Sequence, residues 1–205
     1  MDLRLRAHQL SKTFNRRVIF RDVSFRLEKG TTLLITGRNG AGKSTLVKII
    51  GGVLTPSGGS VELGGAAAGE RTHNLVGFVS PYLQLYDEFS ARENLRLALA
   101  IRGLPRREED ADKLLSTVGL SHRADDPVRT YSSGMKQRAK YAFALVHRPP
   151  VLILDEPMAN LDTEGCALVR NVMTRHRQEG ILIVATNDMT DIDHFDLQVD
   201  LNGAR

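Results

Sequence analysis

Residues Thr31–Thr45 read TTLLITGRNGAGKST. The first six are short and strongly apolar, the pattern of a strand buried on both faces. A glycine-rich turn follows, and then Leu46, Ile49 and Ile50 recur at helical spacing. Gly37-Arg38-Asn39-Gly40-Ala41-Gly42-Lys43-Ser44 fits G-x-x-x-x-G-K-[ST], with the strand before it and the helix after it that the motif requires. The glycines let the backbone curl so that successive N–H groups converge on phosphate oxygens. The helix beginning near Lys43 adds its positive end. The stretch Gly37–Thr45 is therefore expected to cradle the phosphates of a nucleotide. Lys43 should reach the β- and γ-phosphates and Ser44 should ligate Mg²⁺. Such a loop does not by itself separate kinases, GTPases and ATPases.

The rest of the chain fits a single domain around that loop. Its 205 residues are enough to bury a sizeable core, and 41% hydrophobic with 25% charged residues is an ordinary globular composition. Cys166 is the one cysteine, which excludes an intrachain disulfide and fits a reducing compartment; it reads as a small core residue. A net charge of +4 is weak support for an acidic partner or membrane surface. No apolar run approaches the roughly 20 residues that span a bilayer. The start, MDLRLRAHQL, lacks the apolar block of a signal peptide. The expectation is a cytoplasmic protein, with any membrane part supplied by another chain.

Leu3, Leu5 and Ala7 alternate with Arg4, Arg6 and His8, and Val23, Phe25 and Leu27 alternate with Asp22, Ser24 and Arg26, as in half-buried strands. Pro56, Gly58 and Gly59 suggest a turn, SVEL and LVGFVS further strands, and GGAAAG (64–69) a flexible connection. From Ser90 the period becomes helical. Ser90 and Glu93 match a capping box before Leu95, Leu97, Ala98 and Ile101. RREEDADKLLSTVGL gives a second helix ending at Gly119. A third follows Ser132 or Ser133, with Met135, Ala139, Ala142, Phe143 and Val146 on one face, until Pro149 and Pro150 stop it. Leu168, Val169, Val172, Met173 and His176 form a stripe on another helix, where His176 reads as core-edge packing. Strands alternating with helices imply an α/β fold: a mostly parallel core sheet, an N-terminal antiparallel β subdomain, and an α-helical subdomain inserted at about 83–145.

VLILDEP (151–157) is a buried strand that ends in carboxylates beside the glycine-rich loop. Asp155 can hold Mg²⁺, and Glu156 is the best candidate for a general base that polarises an attacking water. ILIVATNDMTDID (181–193) is a second such strand, delivering a polar group at Thr186, Asn187 and Asp188.

TYSSGMKQR (130–138) resembles the signature segment of ABC transporter ATP-binding subunits. With the P-loop, LILDEP and ANLD (159–162), it covers nearly the whole chain in that family's order. The resemblance implies a P-loop NTPase fold and an ATPase that uses ATP and Mg²⁺. Two copies would bind head to tail, so that Ser132, Ser133 and Gly134 of one meet the γ-phosphate held by the other. It also implies that Phe14 stacks on adenine, that Asp162 links the two sites across the dimer, and that Gly77–Leu95 senses the membrane partner. Two positions depart from the pattern. The family's glutamine after the proline of that joining segment is Tyr82 here, with Gln84 two residues on. The histidine that the last strand brings to the γ-phosphate is Asn187, which can donate an amide hydrogen bond but cannot carry positive charge or shuttle a proton near neutral pH.

The leading expectation is thus the energy-coupling subunit of a transporter, forming a homodimer and associating peripherally with the membrane through a separate permease subunit. GMKQR is similar to exporter-type subunits, and no regulatory domain is expected after the last motif. The second expectation is an ATP-gated dimerisation clamp that hydrolyses slowly or not at all, motivated by Tyr82 and Asn187. A nucleic-acid role is not expected: the arginines between Arg92 and Arg107 have no interleaved aromatics to stack bases.

Overall fold

The computed structural model describes residues 3–67, 70–106 and 108–203. Ala68 and Gly69, at the end of the expected 64–69 connection, and Arg107, near the start of the expected second helix, lie outside the described residues. The strands are β1 (Arg4–Phe14), β2 (Arg17–Glu28), β3 (Thr32–Thr36), β4 (Gly58–Leu63), β5 (Ala66–Ala67), β6 (Val76–Val79), β7 (Val151–Asp155), β8 (Ile181–Ala185) and β9 (Leu197–Asp200). The helices are α1 (Lys43–Ile50), α2 (Ala91–Ala100), α3 (Glu108–Thr117), α4 (Ser133–Leu145) and α5 (Thr163–Glu179).

Among the described residues the strands form two sheets. One is parallel, in the order β6-β7-β8-β3-β9; the other is antiparallel, in the order β2-β1-β4-β5. The parallel strands are apolar throughout because both faces are covered. Leu34, Leu152, Leu154, Leu182 and Val184 pack with α2, α4 and α5. Their neighbours Leu33, Ile35, Ile153, Ile183 and Ala185 point the other way, onto α1 and the antiparallel sheet. β3, β7 and β8 run in register, Leu34 opposite Val184 and Leu154 opposite Val184, so their carboxyl ends open at one edge. Loops after Thr36, Asp155 and Ala185 therefore meet there, at the edge where ligands bind in open α/β sheets.

The helical block opens as its sequence predicts. Ser90 Oγ accepts from Glu93 N at 3.2 Å and the Glu93 carboxylate accepts from Ser90 N at 2.7 Å, a full capping box. Arg92 then ties α2 to α3 and to the loop beyond it, donating to Asp112 and, at 2.7 Å, to Asp125. On α4 the expected face is buried or half-buried, and Gln137 and Tyr141 are buried as well. Tyr141 is accommodated by donating its hydroxyl to Pro157 O at 2.7 Å. His176 is core-edge, and burial holds its pKa below the ordinary value.

Four local expectations change. Gly58 and Gly59 lie within β4, not in a turn. Gly59 has φ +81°, and a Cβ there would sit 2.3 Å from His8 O, so only glycine lets β4 approach β1. Ala66 and Ala67, expected in a flexible connection, form a short strand paired with Glu62 and Leu63. Cys166 is half-buried and free. β9 is not anticipated by the sequence: Leu197 and Val199 alternate with Gln198 and Asp200, but only four residues carry the pattern.

Candidate active site

The loop between β3 and α1 is shaped by its glycines. Gly40 and Gly42 have φ of +78° and +106°, and a Cβ on Gly42 would lie 2.5 Å from Ile19 of β2. The loop is thus pressed onto the antiparallel sheet, and Gly42 caps α1 in the left-handed conformation. Arg38 N donates to Asn202 Oδ1 at 3.0 Å, which ties the loop to the segment after β9. Ala41 is buried, and Ser44 and Thr45 in the first turn of α1 are half-buried.

Lys43 is the hub. Its Nζ donates to Gly37 O at 2.9 Å and to Asn187 Oδ1 at 2.5 Å, and lies 3.6 Å from Glu156 Oε1. Four sequence-predicted site residues are therefore brought together with the loop backbone: Gly37, Lys43, Glu156 and Asn187. Asn187 Nδ2 donates in turn to Asn39 Oδ1. A lysine ammonium only donates, so the atom of Asn187 facing it must be its oxygen, and the amide nitrogen is left for Asn39. In this arrangement one of the two amide hydrogens that a γ-phosphate could use is bonded to the loop.

Asp155 is fully buried. Among the described residues neither carboxylate oxygen has a hydrogen-bond partner. Ser44 is close enough to favour the ionised form without making a full hydrogen bond, and Lys43 and Lys48 act in the same direction, yet burial dominates and pushes the pKa up. A buried carboxylate without a partner costs several kcal/mol. Asp155 beside Ser44, a hard oxygen pair at the phosphate-binding edge, fits a Mg²⁺ ion that would remove that cost. Glu156, next to it, has φ +51°, and its N donates to Ala185 O at 2.8 Å. A left-handed glutamate costs roughly 1–2 kcal/mol, a strain consistent with a functional constraint on where its carboxylate points.

Phe14 ends β1 with 43% of its surface exposed, and Lys12 Nζ sits 4.7 Å from its ring centroid. An exposed, cation-flanked aromatic at a strand end is placed to stack on a base. Phe14→Ala is expected to weaken ATP binding about 5- to 150-fold, since stacking contributes roughly 1–3 kcal/mol per base. Calorimetric titration with ATP checks this, and unchanged affinity would make Phe14 only a strand-end aromatic.

Other expected residues lie elsewhere. Ser132 caps α4, its Oγ accepting from Met135 N at 3.2 Å, with Ser133 and Gly134 in the first turn. Asp162 caps α5 by accepting from Gly165 N at 2.8 Å. Among the described residues, none of these four hydrogen-bonds or ion-pairs with residues 37–45. Tyr82 is 72% exposed and its ring lies 4.6 Å from Lys48 Nζ on α1. Gln84 lines a cleft of about 350 Å³ with Pro81, Ser133, Lys136, Lys140 and Asn160. Two more residues stand behind Glu156: Thr186, which the sequence placed only among the polar groups at a strand tip, and Asp191, which it missed. Thr186 Oγ1 stands 3.4 Å from Glu156 Oε2 and donates to Asp191 Oδ2 at 2.5 Å. Nothing in their spacing marks them.

Comparison with known proteins gives consistent results. A family model described as ABC transporter matches residues 20–159. The linearmycin resistance ATP-binding protein LnrL of Bacillus subtilis is 32% identical over 188 residues, covering 89% of this chain and 60% of that protein. The chain thus spans less than two thirds of that relative's length. The lipoprotein-releasing system ATP-binding protein LolD of Syntrophus aciditrophicus is 37% identical over 205 residues, covering 91% of each. Among solved structures, an ATP-binding cassette in a dimeric post-hydrolysis state, bound to ADP and Pi, has the same fold, with a TM-score of 0.83, 24% identity, and coverage of 91% of this chain and 89% of that one.

Proposed function

The chain belongs to the ABC transporter family as an ATP-binding cassette of the ATPase class that uses ATP and Mg²⁺, and from that premise we propose how its residues work. ATP lies on residues 37–45 with its base against Phe14. The loop N–H groups and the Lys43 ammonium hold the phosphates and stabilise charge on the transferring phosphoryl group. Asp155 and Ser44 hold Mg²⁺, which neutralises phosphate charge when bound. Glu156 orients the attacking water and takes its proton. The observation that carries this reading is the convergence of Lys43, Glu156 and Asn187 at the carboxyl edge of the parallel sheet.

Ser132, Ser133, Gly134 and Asp162 lie away from that cluster, which supports a site completed by a second copy placed head to tail. The signature then presents the positive end of α4 to phosphate held by the partner. The related cassette of the same fold in a dimeric, nucleotide-bound state supports this assembly. Hydrolysis would loosen the dimer and let a membrane subunit relax.

In this reading the membrane subunit is a separate chain; no helix among the described residues is long and apolar enough to cross a membrane. Tyr82, Tyr86 and Phe89 expose their rings on the segment that joins the sheet to the helical block, and Tyr86 and Phe89 stack at 5.6 Å. Exposed aromatic clusters mark contact surfaces, so this segment is the docking face, on the cytoplasmic side of the membrane. The name of the linearmycin resistance relative supports export, and that of the lipoprotein-releasing relatives widens it to release of cargo from a membrane. Replacing both Tyr86 and Phe89 by Ser is expected to leave basal turnover unchanged and to abolish co-purification with the co-expressed membrane subunit. Retained co-purification would remove the docking assignment.

A second reading, a slowly hydrolysing clamp, is favoured by one observation: the Asn187 amide is engaged at both ends, by Lys43 and Asn39. Steady-state ATP turnover, with and without the membrane subunit, separates the two.

A further inference from the structure

Thr186 follows β8 and is fully buried, yet its hydroxyl stands between two carboxylates. Oγ1 lies 2.5 Å from Asp191 Oδ2 and 3.4 Å from Glu156 Oε2, and it accepts from Asp188 N at 3.0 Å. A hydroxyl has one proton to give. The nearer carboxylate takes it: 2.5 Å is the length of a charge-assisted bond, and 3.4 Å lies beyond the usual O–H···O range.

Asp191 is only 8% exposed. The turn that carries it is held by further bonds besides those to Thr186. Its N donates to Asp188 O at 3.1 Å. Asp188 caps the turn 189–191, accepting from Thr190 N at 2.8 Å, and Arg170 of α5 donates to Thr190 O at 2.6 Å. These bonds hold the turn that carries Asp191, and Thr186 is the donor that its carboxylate meets. On its other side Glu156 has Lys43 near Oε1, so Oε2 is the oxygen that faces Thr186.

We propose that Asp191, acting through Thr186, is a positioning residue for Glu156: it draws the Thr186 proton away, so that Glu156 Oε2 keeps a free lone pair for the proton of the attacking water. Without Asp191, a shift of well under 1 Å lets Thr186 donate to Glu156 and occupy that lone pair. The inference rests on the reading of Glu156 as the base.

The test uses steady-state ATP hydrolysis by the full chain. Asp191→Ala is expected to lower kcat about tenfold with the KM for ATP within about twofold, the pattern of an interaction felt in the transition state. Adding Thr186→Val removes the misdirected donor and should return kcat to within about threefold of wild type. Asp191→Asn, whose amide oxygen still accepts from Thr186, should also stay within about threefold. If Asp191→Ala does not fold, the near-isosteric Asp191→Leu takes its place. A kcat unchanged by Asp191→Ala, or a loss that Thr186→Val deepens instead of reversing, overturns the proposal. A wild type no more active than Glu156→Gln overturns the hydrolase reading and this inference with it, an outcome that cannot be confused with the others.

Discussion

Glu156→Gln is expected to lower Mg²⁺-dependent ATP turnover by at least about 10²-fold, within the roughly 10²–10⁴-fold a positioned general base supplies. Glutamine has the same shape and keeps the hydrogen bond from residue 156 N to Ala185 O, so the loop need not move. What it loses is the ability to take a proton. It also loses a negative charge 3.6 Å from Lys43, at the place where the γ-phosphate must sit. Two unit charges about 4 Å apart interact by about 4 kcal/mol at an effective dielectric of 20, so removing that repulsion favours bound ATP. The variant should therefore bind ATP at least as tightly as wild type, and an ATP-held dimer should persist. Phosphate release and light scattering after gel filtration with Mg²⁺-ATP measure the two effects. Equal turnover in both proteins would remove Glu156 as the base. Equal inactivity, even with the membrane subunit present, would leave the clamp reading.

Much of this site is legible in the sequence because phosphate binding is done by backbone. A loop whose N–H groups must converge needs glycines at fixed spacing, and Gly42 shows why: a side chain there would collide with Ile19. The strands behave likewise. LLI, VLIL and ILIVA are apolar at every position because both faces of the sheet are covered, which itself predicts a parallel sheet. Contacts between side chains from distant segments leave no such trace. The Asn187–Asn39 bond joins residues 148 apart, and no periodicity connects them. Thr186 and Asp191 are close in sequence, but the turn that brings them together is set by the Asp188 cap, a local geometry that many sequences share. β9 escapes notice because four residues at a sheet edge carry too short a pattern to stand out from a loop. The signature residues Ser132–Gly134 are the opposite case. Their sequence points to phosphate, yet within one chain they lie apart from residues 37–45, which the proposed head-to-tail pairing would account for.

Lys43→Ala is expected to weaken ATP binding and to remove turnover, which separates it from Glu156→Gln. The ammonium is almost fully buried; it donates to Gly37 O and Asn187 Oδ1 and lies 3.6 Å from the Glu156 carboxylate. An incoming phosphate must replace Asn187 and Glu156, and it can, because it offers a full charge where Asn187 offers a dipole. A hydrogen bond to a charged group contributes about 1.5–3 kcal/mol, and each 1.4 kcal/mol is tenfold in affinity, so losing even one such contact weakens ATP binding roughly 10- to 100-fold. The free protein should be little affected. Glu156 loses its cation but is a third exposed, so water can replace it, and Asn187 keeps its bond to Asn39. The difference then appears only with ligand. Wild type at ATP about 100 times its Kd gains about 2.7 kcal/mol of stability, a clear rise in melting temperature, whereas Lys43→Ala at the same ATP concentration gains only about 0.4–1.4 kcal/mol. A variant that melts like wild type without ATP and rises clearly less with it places the loss in phosphate binding itself. A variant that rises as wild type does would mean that Lys43 does not hold the nucleotide.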